Sequence, residues 1–192
     1  MAEKKSDKAG TAPAHESVAD YARREMAEVA ERERKKKVYL EGQKRAATEV
    51  PERFLAIAAD VRREIDAFNQ IVDPSRRITL QESAGLAARA EAGRAELNFS
   101  AKRKNVEAWV GLSELMRLGQ TTPAYIIDGQ IRLSKSSLRL RAEAIPSGDG
   151  LRYRIMLDGM EQKYPLEELG SRLVLALAKD DPTPLGGVLV IG

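Results

Sequence analysis

A change of rhythm at Pro74 constrains this chain more than any other feature. Before it, from Pro51 on, apolar residues recur at steps of three and four; beyond it they recur at every second position. The first spacing aligns side chains on one face of a helix, the second on one face of a strand. The chain therefore has to combine helix and antiparallel sheet in one core, with the helix leading.

The helical signal is cleanest over residues 51–72, where Phe54, Ile57, Ala58, Val61, Ile65, Phe68 and Val72 share one face and Arg53, Arg62, Arg63 and Asp66 mostly lie elsewhere. Asp73 and Pro74 end it. The preceding stretch, 16–50, is rich in Ala, Glu, Arg and Lys with a single glycine, Gly42, and reads as a long charged helix. Its apolar stripe is thin: Val18, Tyr21, Met26 and Val29, then no large apolar residue until Val38. Pro51 disfavours helical geometry at Val50 and suits a first turn, which predicts a kink or a restart there. Residues 1–15 are small and polar and read as a flexible tail.

Beyond Pro74 the segments RRITLQE, AELNFSA and VEAWVGL alternate as strands, with a polar KRKN turn between the last two. The stretch 84–92 has helical composition but strand-like alternation, and we read it as strand. SELMRLG, from Ser113, suggests a helical turn. Asp128 and Gly129, between AYII and QIRL, are the dipeptide of a type I′ hairpin turn, which would set Ile126 opposite Ile131 and Tyr125 opposite Arg132. LRLRAEA and LRYRIML flank the loop PSGDG, and pairing Ala144 with Leu151 across it would set Arg141 against Arg154. Asp158 and Gly159 offer another tight turn. PLEELGSRLVLALAKDD is an apolar helix, with Pro165 in its first turn, Glu167 and Glu168 near its positive end and Lys179 near the other.

The expected fold is α+β: a long charged N-terminal helix, then an antiparallel β-meander packed against an amphipathic helix and a C-terminal apolar helix. The domain reading is a tail at 1–15, the charged helix at 16–50, the α+β domain at 51–182 and an apolar C-terminal tail at 183–192.

Composition narrows function mainly by exclusion. With no cysteine, disulfides, thiolate nucleophiles and cysteine-bearing metal sites are out. The single histidine, His15, falls in the expected tail, and no P-loop, GxGxxG or catalytic constellation occurs. We therefore expect no enzyme, cofactor or metal. The N-terminus has charges but no apolar stretch after them, and no run nears the roughly 20 apolar residues of a membrane span, so no membrane insertion and a cytoplasmic location are expected. Net charge is +3, from 32 basic and 29 acidic residues, too balanced to imply a polyanion partner by itself.

Two surfaces remain as candidates. If Leu138, Leu140, Ala142 and Ala144 turn inward, then Arg139, Arg141, Glu143, Arg152 and Arg154 turn outward, with Glu143 opposite Arg152. Arg132, Trp109 and Tyr125 join them, the mixture of guanidinium and aromatic groups that single-stranded nucleic acid or another polyanion would use. The second is an assembly surface of Tyr21, Met26 and Val29 on the long helix together with Val188, Leu189, Val190 and Ile191 in the tail, a β-prone run suited to a sheet edge. The run RERKKK does not make the long helix a polyanion grip: over 16–50 nine basic residues meet eight acidic ones, and Lys35, Lys36 and Lys37 point in different directions. The function expected is a non-enzymatic protein-interaction or scaffolding module that self-associates, as a homo-oligomer, or binds a protein partner through the N-terminal helix and C-terminal tail. The alternative is nucleic-acid or polyanion binding on the arginine-bearing face.

Overall fold

A computed structural model describes residues 17–82, 97–115, 124–147 and 150–186. The order is α1 (Val18–Ile71), β1 (Thr79–Glu82), β2 (Leu97–Arg103), β3 (Val106–Leu115), β4 (Ala124–Arg132), β5 (Ser137–Ser147), β6 (Gly150–Leu157), β7 (Met160–Glu161) and α2 (Leu169–Lys179). Short 3-10 turns occupy Pro74–Arg76, Leu166–Glu168 and Thr183–Leu185. The expected tail at 1–15, the 84–92 assignment, His15 and the run from Val188 to Ile191 lie outside the described residues. The chain divides into two units after Lys37.

In the first unit, α1 begins with a serine N-cap. The Ser17 hydroxyl accepts from the Asp20 amide at 3.1 Å and donates to the Asp20 carboxylate at 2.6 Å, which satisfies an otherwise orphaned first-turn donor. Ion pairs one turn apart follow, Arg23 with Asp20, Arg32 with Glu28 and Arg34 with Glu31, and each lends only slight support to an exposed helix. The Arg34 hydrogen bond holds the Glu31 carboxyl below its ordinary range.

The second unit is a seven-stranded antiparallel sheet whose strands lie in chain order, with both helices contributing to the core on its inner face. Alternation delivers Leu97, Phe99 and Ala101 from β2, Val106, Ala108, Val110 and Leu112 from β3, and Leu138, Leu140 and Ala142 from β5 to that core. From the helices come Val50, Phe54, Ile57, Val61 and Ile65 of α1 and Leu169, Leu173 and Leu177 of α2. The Phe54 and Phe99 rings meet at 5.8 Å, joining helix to sheet. Two glycines permit the close crossings. A Cβ at Gly42 would overlap Pro146 of β5, and one at Gly170 would lie 2.9 Å from the Asp60 carboxylate and 3.2 Å from the Ile57 carbonyl.

Two side chains stitch the edges. The Asn69 carboxamide donates to the Ile78 carbonyl and accepts from the Ile78 amide, both at 2.8 Å, standing in for a neighbouring strand. Arg103 donates to the carbonyls of Arg76 (3.0 Å) and Ala178 (2.6 Å) and stacks over Phe68, which ties the end of α2 to the β2–β3 turn.

Four local expectations are corrected. The helix does not restart at Pro51 but runs through it, so the boundary between 16–50 and 51–182 is not an element boundary. Val50 and Phe54 on either side are buried in the core, and that burial offsets the lost hydrogen bond of an interior proline. Asp128 and Gly129 make no turn: they sit mid-strand in β4, paired with Gly111 and Val110 on one side and Arg141 and Leu140 on the other. A type I′ turn needs positive φ at both residues, and neither has it. Gly129 serves close approach instead, since a Cβ there would stand 2.5 Å from the Trp109 carbonyl oxygen. The turn geometry does occur at Asp158 and Gly159, with φ of 48° and 84°. Ser113 to Leu115 continue β3 rather than coil.

The fourth correction is one of register. Ala144 pairs with Tyr153 rather than Leu151, which sets Glu143 against Arg154 and Arg141 against Met156. The hairpin is tighter than expected because β5 continues through Pro146. Pro146 pairs with Leu151 at a position whose backbone groups point away from the β5–β6 ladder, so its missing N–H leaves no gap there.

Candidate functional site

The outer face can be built strand by strand from the register. Trp109 of β3 has Ser100 and Gln130 as cross-strand neighbours, and the row continues to Arg139. Glu107 stands opposite Arg132 in the next row. Together Glu107, Trp109, Gln130 and Arg132 line a shallow notch of about 180 Å³. Trp109 is 41% exposed, and its indole lies over Gly111, where a Cβ would come 2.8 Å from Cη2. The ring thus shields backbone that glycine leaves bare, which accounts for its orientation without any ligand.

Of the residues expected on this face, Arg132, Arg139, Arg141, Arg152, Arg154 and Trp109 are there. Tyr125 is not. It packs against the core on the inner side, because β4 continues without a turn and the parity of its positions reverses. Burial, with Glu114 nearby, raises its hydroxyl pKa.

The arginines are interleaved with acids that a strand-by-strand reading does not bring together. Glu143 accepts a hydrogen bond from Arg154 across the strands at 3.0 Å and forms an ion pair with Arg141 along β5 at 2.7 Å, and Glu161 of β7 pairs with Arg152 at 3.4 Å. The repulsive Arg141–Arg154 pair is therefore replaced by a carboxylate shared between two guanidiniums. Among the described outer positions, Lys102, Arg132, Arg139, Arg141, Arg152 and Arg154 face Glu107, Asp128, Glu143, Asp158 and Glu161, a balance of +1. Strand spacing places Glu143 on this face, but only the cross-strand register shows that it pairs with Arg154 and Arg141 rather than Arg152.

The other candidate surface is the helix before the core. Every residue from 18 to 40 is exposed or only partly buried, with Val18 at 86%, Met26 at 75% and Tyr21 at 51% exposure. The first buried residue of α1 is Ala46.

Among the described residues no three His, Cys, Asp or Glu side chains gather as metal ligands, and no helix is long and apolar enough to cross a membrane. Comparison with protein-family models, with curated proteins and with solved structures finds no match.

Proposed function

We propose that this chain is a non-enzymatic protein-interaction module that docks through the exposed part of α1, in the first instance onto a second copy of itself. One observation carries the reading: about 35 Å of continuous helix, residues 18–40, holds no buried side chain and yet displays Val18, Tyr21, Met26, Val29, Tyr39 and Leu40. Most helical stability in proteins comes from packing an amphipathic face, and large apolar groups at this exposure favour a covering surface.

Charge along the helix supports self-association. Residues 18–31 carry four acids and two bases, and residues 32–45 carry seven bases and two acids. Two copies lying antiparallel set the acidic stretch of each against the basic stretch of the other. Glu33 and Lys36 interrupt the apolar seam, so the contact is a charged patch flanked by apolar anchors rather than a continuous coiled coil.

Light scattering on the full chain at low and at high salt tests this. The expected result is a dimer or larger at low salt that dissociates as salt rises, and a monomer for Met26→Lys/Val29→Glu. A monomer at every salt, with no change in the variant, refutes self-association. Salt-sensitive retention of an oligonucleotide, lost in Arg141→Glu/Arg154→Glu, would instead establish polyanion binding by the sheet; the near-neutral balance of that face weighs against it.

A further inference from the structure

The near-neutral balance of the outer face is an average over two unlike regions. Toward β6 and β7 the guanidiniums are matched: Glu143 holds Arg141 and Arg154, and Glu161 holds Arg152. Around Trp109 the cations are not matched. Lys102 on β2, Arg132 on β4 and Arg139 on β5 are exposed, and among the described residues none of their side chains has an ion pair or a hydrogen bond. Glu107 stands between Lys102 and Arg132 in the register, one carboxylate against two cations. Asp158, at the margin, already accepts from the Arg139 backbone amide at 2.7 Å.

Trp109 sits among these cations. Lys102 and Arg132 are diagonal to it on the neighbouring strands, and Arg139 lies beyond Gln130 in its own row. Gly111 leaves room for the indole to lie over β3, and the notch it forms with Glu107, Gln130 and Arg132 is shallow, which suits a flat group laid on the ring. Adjacent strands are about 4.8 Å apart, so the three cations are spread over about 14 Å from β2 to β5, on both sides of the ring. That spread suits successive phosphates of one strand crossing the sheet better than a single phosphate.

We infer that this region of the outer face is a site for single-stranded nucleic acid, in which one base stacks on Trp109 while Lys102, Arg132 and Arg139 hold the phosphates around it. A duplex does not fit, because paired and stacked bases show the sheet only their edges, whereas an unpaired base offers the ring a whole face. Arg141, Arg152 and Arg154 take no part, since each already has a carboxylate. The site is independent of the helix-mediated contact proposed above, and either can fail without the other.

Trp109 is the only tryptophan in the chain, so its own fluorescence reports the contact. Titrating the full chain at low salt with a short oligodeoxythymidylate is expected to quench it, and an abasic strand of the same length is not. Log affinity should fall with log salt at a slope of about −2, the value for three phosphates of a single strand. Arg132→Gln/Arg139→Gln should bring that slope to about −0.7, whereas Arg141→Gln/Arg154→Gln, which removes the same net charge, should leave it at about −2. Trp109→Ala, followed by the anisotropy of a labelled strand, should bind at least about fivefold more weakly. Absence of quenching in the unmodified chain would overturn the inference, as would equal quenching by the abasic strand. So would a slope that responds to Arg141→Gln/Arg154→Gln and not to Arg132→Gln/Arg139→Gln, because the phosphates would then lie on the other region of the face.

Discussion

Gly42→Ala reverses the ordinary sign of a helix substitution. In an open helix, replacing an interior glycine by alanine stabilises by about 1 kcal/mol, because glycine loses more backbone freedom on folding. Gly42 is where α1 crosses β5, and a Cβ there would overlap the Pro146 Cβ and stand 2.6 Å from its Cγ. Helix or strand must yield, and overpacking of this kind costs about 1–3 kcal/mol. Overlap with two ring atoms places it near the upper figure, so the net expectation is a loss of about 2 kcal/mol. Urea denaturation followed by circular dichroism measures it through the midpoint at constant slope. In a Pro146→Gly background the obstruction is gone and Gly42→Ala should stabilise by about 1 kcal/mol, a coupling of about 3 kcal/mol across the cycle. A gain of about 1 kcal/mol in the unmodified chain would refute the crossing geometry.

Two further outcomes follow from the packing. Arg103→Ala should cost about 2–3 kcal/mol in the same urea assay, because carbonyls at the end of α2 and in the turn after α1 lose a charged donor and Phe68 loses its cover; Arg103→Lys should recover little, since one ammonium cannot reach both. The Tyr164 hydroxyl is raised to about 12 by burial, against the opposing pull of Arg172 stacked on its ring. The folded chain therefore holds that proton after the unfolded chain has released it, so stability is lost as pH rises from about 10 to about 12, by no more than about 2 kcal/mol after allowance for the accessible part of the ring. Tyrosinate absorbance should show Tyr164 as a late-titrating group alongside Tyr125 and Tyr153, whose hydroxyls burial also raises. Tyr164→Phe should remove both that group and its share of the alkaline loss while leaving stability near neutral pH unchanged or slightly raised, since the hydroxyl has no hydrogen-bond partner among the described residues.

What could be read from the residues in order was whatever depends on near neighbours. Period-two alternation placed Val106, Ala108, Val110 and Leu112 on the buried side and Trp109 on the open side, and the three-and-four spacing of Phe54, Ile57, Val61 and Ile65 marked a core-facing helix. The Asp158–Gly159 turn was equally local, because positive φ is a property of those two residues. Pairing is not local. Asp128 and Gly129 carry the same turn chemistry, yet β3 and β5 on either side hold them extended; Pro51 carries a break signal, yet the buried neighbours Val50 and Phe54 hold the helix together. The arginine face was visible as alternation, but its neutralisation by Glu143 and Glu161 depends on a register set by the tip of the β5–β6 hairpin and by β7. Side-chain periodicity is written in the covalent chain, whereas the partner across a strand or beneath a helix is selected by the free energy of the assembled core, and only the tertiary structure decides it.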